Sequence, residues 1–167
     1  MIAYLLILMG IFLRLVPHVP NVAPVAAIAL FSGVYLDKRI VPWVPLAIMA
    51  VSDILIGFHD MVLFTWGAFL LIGFIGMWLR DRKSPGTIMA TTVLSSILFF
   101  VISNFGVWLV WYPMTPAGLV DCYVKALPFL RNTMAGNVIF AFIMFGAYEL
   151  ARRLVSGKSF ERLLLTS

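Results

Sequence analysis

Apolar residues fill the chain in long runs, each ended by a short polar or proline-rich connector, and that spacing predicts membrane-crossing helices. Six runs qualify: residues 2–16, 22–36, 40–58, 61–79, 87–111 and 133–154. The first two are short, which suits a tilted helix or a partly re-entrant segment packed inside protein. Residues 112–132 contain three prolines and many bulky apolar groups, and read as an exterior lid or binding loop. The expected fold class is an all-α integral membrane bundle of six transmembrane helices, formed by a single domain over residues 1–167.

Composition agrees. Hydrophobic residues make up 63% of the chain and charged ones 11%, against about 25% charged in an ordinary soluble domain. Mean hydropathy is +1.06. A protein this apolar cannot cover itself with polar groups, so lipid must solvate much of it. The apolar start of the chain has no basic region before it and reads as a retained first helix rather than a cleaved signal.

Charge sets the expected orientation. Lys38, Arg39, Arg80, Arg82, Lys83, Arg152, Arg153, Lys158 and Arg162 fall on one side of a six-span bundle, leaving Arg14, Lys125 and Arg131 on the other. The positive-inside rule then puts both termini in the cytoplasm, in a bacterial inner membrane. The basic residues line connectors and form no basic helix face, so nucleic acid is not an expected partner. Trp43, Trp78 and Tyr148 fall near the expected inner interface, and Trp108, Trp111 and Tyr112 near the outer one.

Polar groups inside a bilayer are costly, so they are the first functional candidates. Four groups stand out: Arg14 with His18 and Asn21; Ser52-Asp53 with His59 and Asp60; Ser103-Asn104 followed by Gly106 and Trp108; and Arg131-Asn132 with Asn137. All fall in the outer half of the expected bundle or in exterior loops, as an outward-opening cavity requires. A pore would need polar lining throughout.

Each group also has a structural reading. Asp53 can pair with Arg14 or Arg131. Ser52, Ser103 and Asn104 can bond neighbouring helices. Asn132 can cap the sixth helix. His18, His59, Asp60 and Cys122 have no spacing diagnostic of a metal site, and the lone cysteine excludes an internal disulfide. No P-loop, Gly-x-Ser-x-Gly, His-Glu-x-x-His or Gly-x-Gly-x-x-Gly motif occurs, so neither enzymatic activity nor a cofactor is expected. Ala23/Ala27, Ala29/Gly33 and Ala147/Ala151 have helix-packing spacing, and those in the second helix also suit docking to a partner.

Residues 14–33, Ser52-Asp53-Ile54-Leu55-Ile56-Gly57-Phe58-His59, residues 103–108, Tyr112-Pro113, residues 118–128 and residues 132–137 carry a resemblance. Together they resemble an uncharacterised family of small six-helix bacterial membrane proteins described as transport proteins. That family is in turn similar to the substrate-binding S components of energy-coupling-factor vitamin transporters. The resemblance implies a subunit that captures a vitamin-like small molecule between its exterior loops and passes it on with an energising membrane module and its ATPases. The implied binding residues are Arg14, His18, Asn21, Asp53, His59, Ser103, Asn104, Trp108, Tyr112, Arg131 and Asn132. S components commonly dock through an Ala-x-x-x-Ala pair in helix one, where this chain has Ala3 and Gly10. The alternatives are a six-span structural scaffold, like the rod-shape-determining membrane subunits, and a small lipid-directed intramembrane enzyme.

Overall fold

A computed structural model describes residues 1–15, 22 and 24–156. The described chain is all-helical: α1 (Ile2–Leu15), α2 (Val25–Tyr35), α3 (Trp43–Ile56), α4 (Val62–Leu79), α5 (Pro85–Trp111) and α6 (Pro116–Val155), with a 3-10 turn at Arg80–Arg82. Three helical segments, Val62–Arg82, Pro85–Trp111 and Pro116–Val155, are long and apolar enough to cross a membrane, whereas α1, α2 and α3 are shorter apolar helices.

α2 is the axis of the bundle. Every residue from Val25 to Val34 is buried, and its neighbours include α1, α3, α4 and α6. At 11 residues it is about 16 Å long, and its sides meet protein rather than lipid. Its contact with α4 depends on glycine. A Cβ on Gly33 would lie 2.4 Å from the Gly73 carbonyl oxygen, and one on Gly76 would lie 2.3 Å from that of Leu30. The small residues of α2 therefore serve packing within the chain, and the partner-docking alternative for this helix is set aside. Ala3 of α1 also faces the core.

The C-terminus of α2 leaves unpaired carbonyls, as every helix end does. Arg80 answers them. Its guanidinium donates to the Gly33 oxygen from Nε at 3.2 Å and from Nη2 at 2.9 Å, and Nη2 also donates to the Leu36 oxygen. Beside this tie, Phe31 packs edge-on against Phe145 and Tyr148, and the Tyr35 and Tyr148 rings lie 4.0 Å apart. Tyr148 is thus a core residue and not part of an interfacial belt, while Trp43, Trp78 and Trp111 are exposed.

The sequence reading and the structure part at α6. Residues 112–132, read as a loop, are helical from Pro116 onward. Thr115 is the N-cap, its hydroxyl accepting from the Gly118 N–H at 3.0 Å, and Pro116 follows in the first turn. Asn132 therefore lies inside α6 and caps nothing. The helix has 40 residues, about 60 Å, twice the ~30 Å hydrocarbon thickness.

The helices also sort the charges. Tyr35, Lys83, Glu149, Arg152 and Arg153 converge at one end of the bundle, where Asp37, Lys38, Arg39 and Arg80 also gather. Lys158 and Arg162 lie outside the described residues. The half of α5 nearer this basic end is more polar than expected, with Thr91, Thr92, Ser95 and Ser96 all buried. Thr91, Thr92 and Ser96 bond carbonyls one turn back, so these hydroxyls are mostly satisfied by their own helix.

Candidate functional site

Three side-chain contacts pin α5 to α6: Tyr123 Oη donates to the Val101 oxygen at 2.7 Å, and the other two lie on either side of it along α5. Asn137 donates from Nδ2 to Ser96 Oγ at 2.9 Å, and Cys122 Sγ lies 3.5 Å from the Asn104 oxygen. Between those two pins α5 advances eight residues, about 12 Å, while α6 covers fifteen, about 22 Å. The surplus of roughly 10 Å must be taken up by α6 departing from α5. Pro128 lies in that stretch; it has no N–H for the Val124 carbonyl, and its ring crowds that carbonyl.

The separation leaves room. A cavity of about 220 Å³ opens between Phe99, Phe100, Ser103 and Asn104 of α5 and Phe129, Leu130 and Thr133 of α6. His59 and Met61 of the α3–α4 turn and Thr65 of α4 complete it. A second cavity of about 250 Å³ shares Asn104, Val107 and Phe129 with the first and reaches Tyr112, Cys122 and Lys125. Together they fall within the roughly 300–1,000 Å³ of small-molecule sites.

The turn that delivers His59 follows from Gly57, which ends α3 with φ +112, a conformation that a side chain would strain. The Met61 N–H donates to His59 Nδ1 at 3.1 Å, which keeps that nitrogen an acceptor and puts the ring proton on Nε2. His59 Nε2 lies 3.9 Å from Asp53 Oδ2. The same oxygen accepts from the Trp66 indole N–H at 2.9 Å. Asp53 is 2% exposed and is thus held behind His59 by a donor on α4 that sequence reasoning missed.

Most of the polar lining bonds its own helix. Ser103 Oγ donates to Phe99 O at 2.7 Å, Asn104 Nδ2 to Phe100 O at 2.8 Å, and Thr133 Oγ1 to Phe129 O at 2.9 Å. Thr65 Oγ1 bonds its own helix likewise. The hydroxyl donors are spent on backbone carbonyls and leave oxygen lone pairs, while Asn104 has a second amide N–H and His59 its Nε2–H. Each of these carbonyl bonds lies within one helix, so Ser103 and Asn104 do not link helices as the structural reading expected. Ser52 also donates backward, to Met49 O at 3.0 Å.

Of the sequence candidates, His59, Ser103 and Asn104 meet in the first cavity and Tyr112 lines the second. Trp108 is in neither: its indole N–H donates to Pro113 O at 3.0 Å and braces the turn before α6. Arg131 is exposed and Asn132 half-buried on α6, and neither lines these cavities. His18 and Asn21 lie outside the described residues, as does the side chain of Arg14. Cys122 is a buried helical thiol rather than a loop thiol. Among the described residues no three His, Cys, Asp or Glu side chains gather to hold a metal. Thr65 and Thr133 were also missed; each is a lone hydroxyl in an apolar helix, with no signal in its spacing.

No curated protein and no solved structure matches the chain. A family model does, over residues 1–159, and on that match the chain belongs to DUF6580, described as a family of unknown function.

Proposed function

We propose that this protein is a six-span inner-membrane transport subunit, similar to an S component, that captures a small vitamin-like molecule from the non-cytoplasmic side. The observation that carries this reading is the pair of adjoining cavities opened beside Pro128, at the end of the bundle opposite its basic fringe. Positive-inside orientation turns those cavities outward, with both termini in the cytoplasm.

The lining refines the expected ligand. Arg131 does not contribute, so the site is not read as an anion clamp. Hydroxyl and amide oxygens with an aspartate behind them favour a ligand rich in N–H or O–H donors, neutral or cationic. Phe99, Phe100 and Phe129 offer faces for a flat ring. Delivery across the membrane would then need an energising partner with ATPases.

The test is thermal stabilisation of the purified protein by a panel of vitamins and their precursors, with Asn104→Ala alongside. A hit that stabilises the parent and leaves Asn104→Ala unmoved supports the reading. No response from any compound, or an identical response in both proteins, counts against it. A second reading, a six-span scaffold, draws on the self-satisfied Ser103, Asn104 and Thr133. It expects Asn104→Ala to change partner binding and not uptake.

A further inference from the structure

The basic end of the bundle holds a larger cavity, about 460 Å³, that capture of a solute at the other end leaves unused. It lies between the end of α2, the start of α5 and the last turns of α6. Its rim carries Lys83, Arg152 and Arg153 against one carboxylate, Glu149. Glu149 Oε1 is shared, 3.6 Å from Arg152 Nη2 and 3.7 Å from Arg153 Nε. The Lys83 ammonium sits 4.8 Å from the centre of the Tyr35 ring. Among the described lining residues, positive charge is in excess.

The inner wall has the opposite character. Ile88 of α5 and Phe142 and Phe145 of α6 form it. Phe142 is exposed, and so is Ile139, one turn further along α6 toward the middle of the helix. The cleft therefore runs from a cationic rim to an apolar helix face.

We propose that this cleft binds an anionic phospholipid, with the headgroup phosphate among Lys83, Arg152 and Arg153 and an acyl chain along Ile88 and Phe142. Charge complementarity selects the anion, and the apolar wall selects a lipid over a soluble phosphate, which would leave Phe142 unmatched. Partial burial first, and then the Arg152 guanidinium, holds the Lys83 ammonium below the ordinary lysine range, with Glu149 opposing. A bound phosphate relieves that repulsion. The inference uses none of the residues of the outer cavities and stands apart from the transport reading.

The test measures binding of fluorescent phosphatidylglycerol to the full chain in neutral detergent, against phosphatidylcholine and inorganic phosphate. Phosphatidylglycerol should bind selectively. Lys83→Gln with Arg153→Gln should weaken it by about fivefold per cation removed. Lys38→Gln with Arg39→Gln removes equal charge at the same end, outside the cleft, and should leave binding unchanged. Deletion of residues 157–167 should also leave it unchanged. Equal binding of phosphatidylcholine, competition by inorganic phosphate, or an equal loss in the Lys38/Arg39 variant overturns the proposal. So does phosphatidylglycerol binding that appears only after the deletion, which would make the chain's own tail the occupant.

Discussion

The two halves of the α5–α6 pair follow different rules. From Asn137 to the basic end α6 outruns α5 by less: α5 covers residues 85–96, eleven steps, while α6 covers 137–152, fifteen steps and about 6 Å more, and Ser96 and Asn137 hold them together. Beyond Asn137 α6 gains roughly 10 Å on α5, and the cavities lie in the gap. Neither half is the more hydrophilic overall. The basic half buries Thr91, Thr92, Ser95 and Ser96, and none of these hydroxyls lines its cleft. What separates the halves is backbone path, and Pro128 lies in the half where α6 outruns α5 more. Buried polar residues alone do not make a site in this bundle; the outer cavities lie where α6 outruns α5 most.

That contrast can be broken in order of severity. Gly33→Val forces a side chain into the α4 backbone beneath both halves, and should cost more than about 4 kcal/mol or prevent folding. Reversible unfolding in mixed micelles, or loss of monodisperse protein on purification, reads it out. Pro128→Ala restores an N–H to the Val124 carbonyl and should stabilise the fold by up to about 3 kcal/mol while narrowing the gap. Slower labelling of a cysteine placed at Ser103 would show the closure, and unchanged labelling would show that the gap does not depend on the proline.

Trp66→Phe removes the indole donor to Asp53 and should destabilise by about 1.5–3 kcal/mol, since the acceptor is a buried carboxylate. The effect should be confined to the cavity end, which hydrogen exchange at Gly57 and Met61 would report. Asn137→Leu removes the pin to Ser96. It should cost about 1 kcal/mol, the usual size of an interhelical hydrogen bond in a membrane bundle, and loosen the basic half as well.

The first five helices were legible because apolar runs broken by Asp37-Lys38-Arg39, Gly57 and Ser84-Pro85-Gly86 fix their ends to within three residues. The start of α6 was not. Pro113, Pro116 and Pro128 read together as a loop, although Thr115-Pro116 is a capping signature and only Pro128 interrupts a helix. The site was half legible. His59, Ser103 and Asn104 announced themselves as polar residues in apolar runs, and they do share a cavity. Trp108 and Arg131 announced themselves in the same way and are used elsewhere or face outward. Which side a polar residue takes depends on how far α6 has strayed from α5, a property of two segments and not of either alone.

The buried axis has a mechanical consequence. With α2 buried from Val25 to Val34, protein fills the centre of the described bundle. On the proposed transport role cargo would pass by tipping of the bundle, and the α2–α4 union latched by Arg80 would tip as one piece.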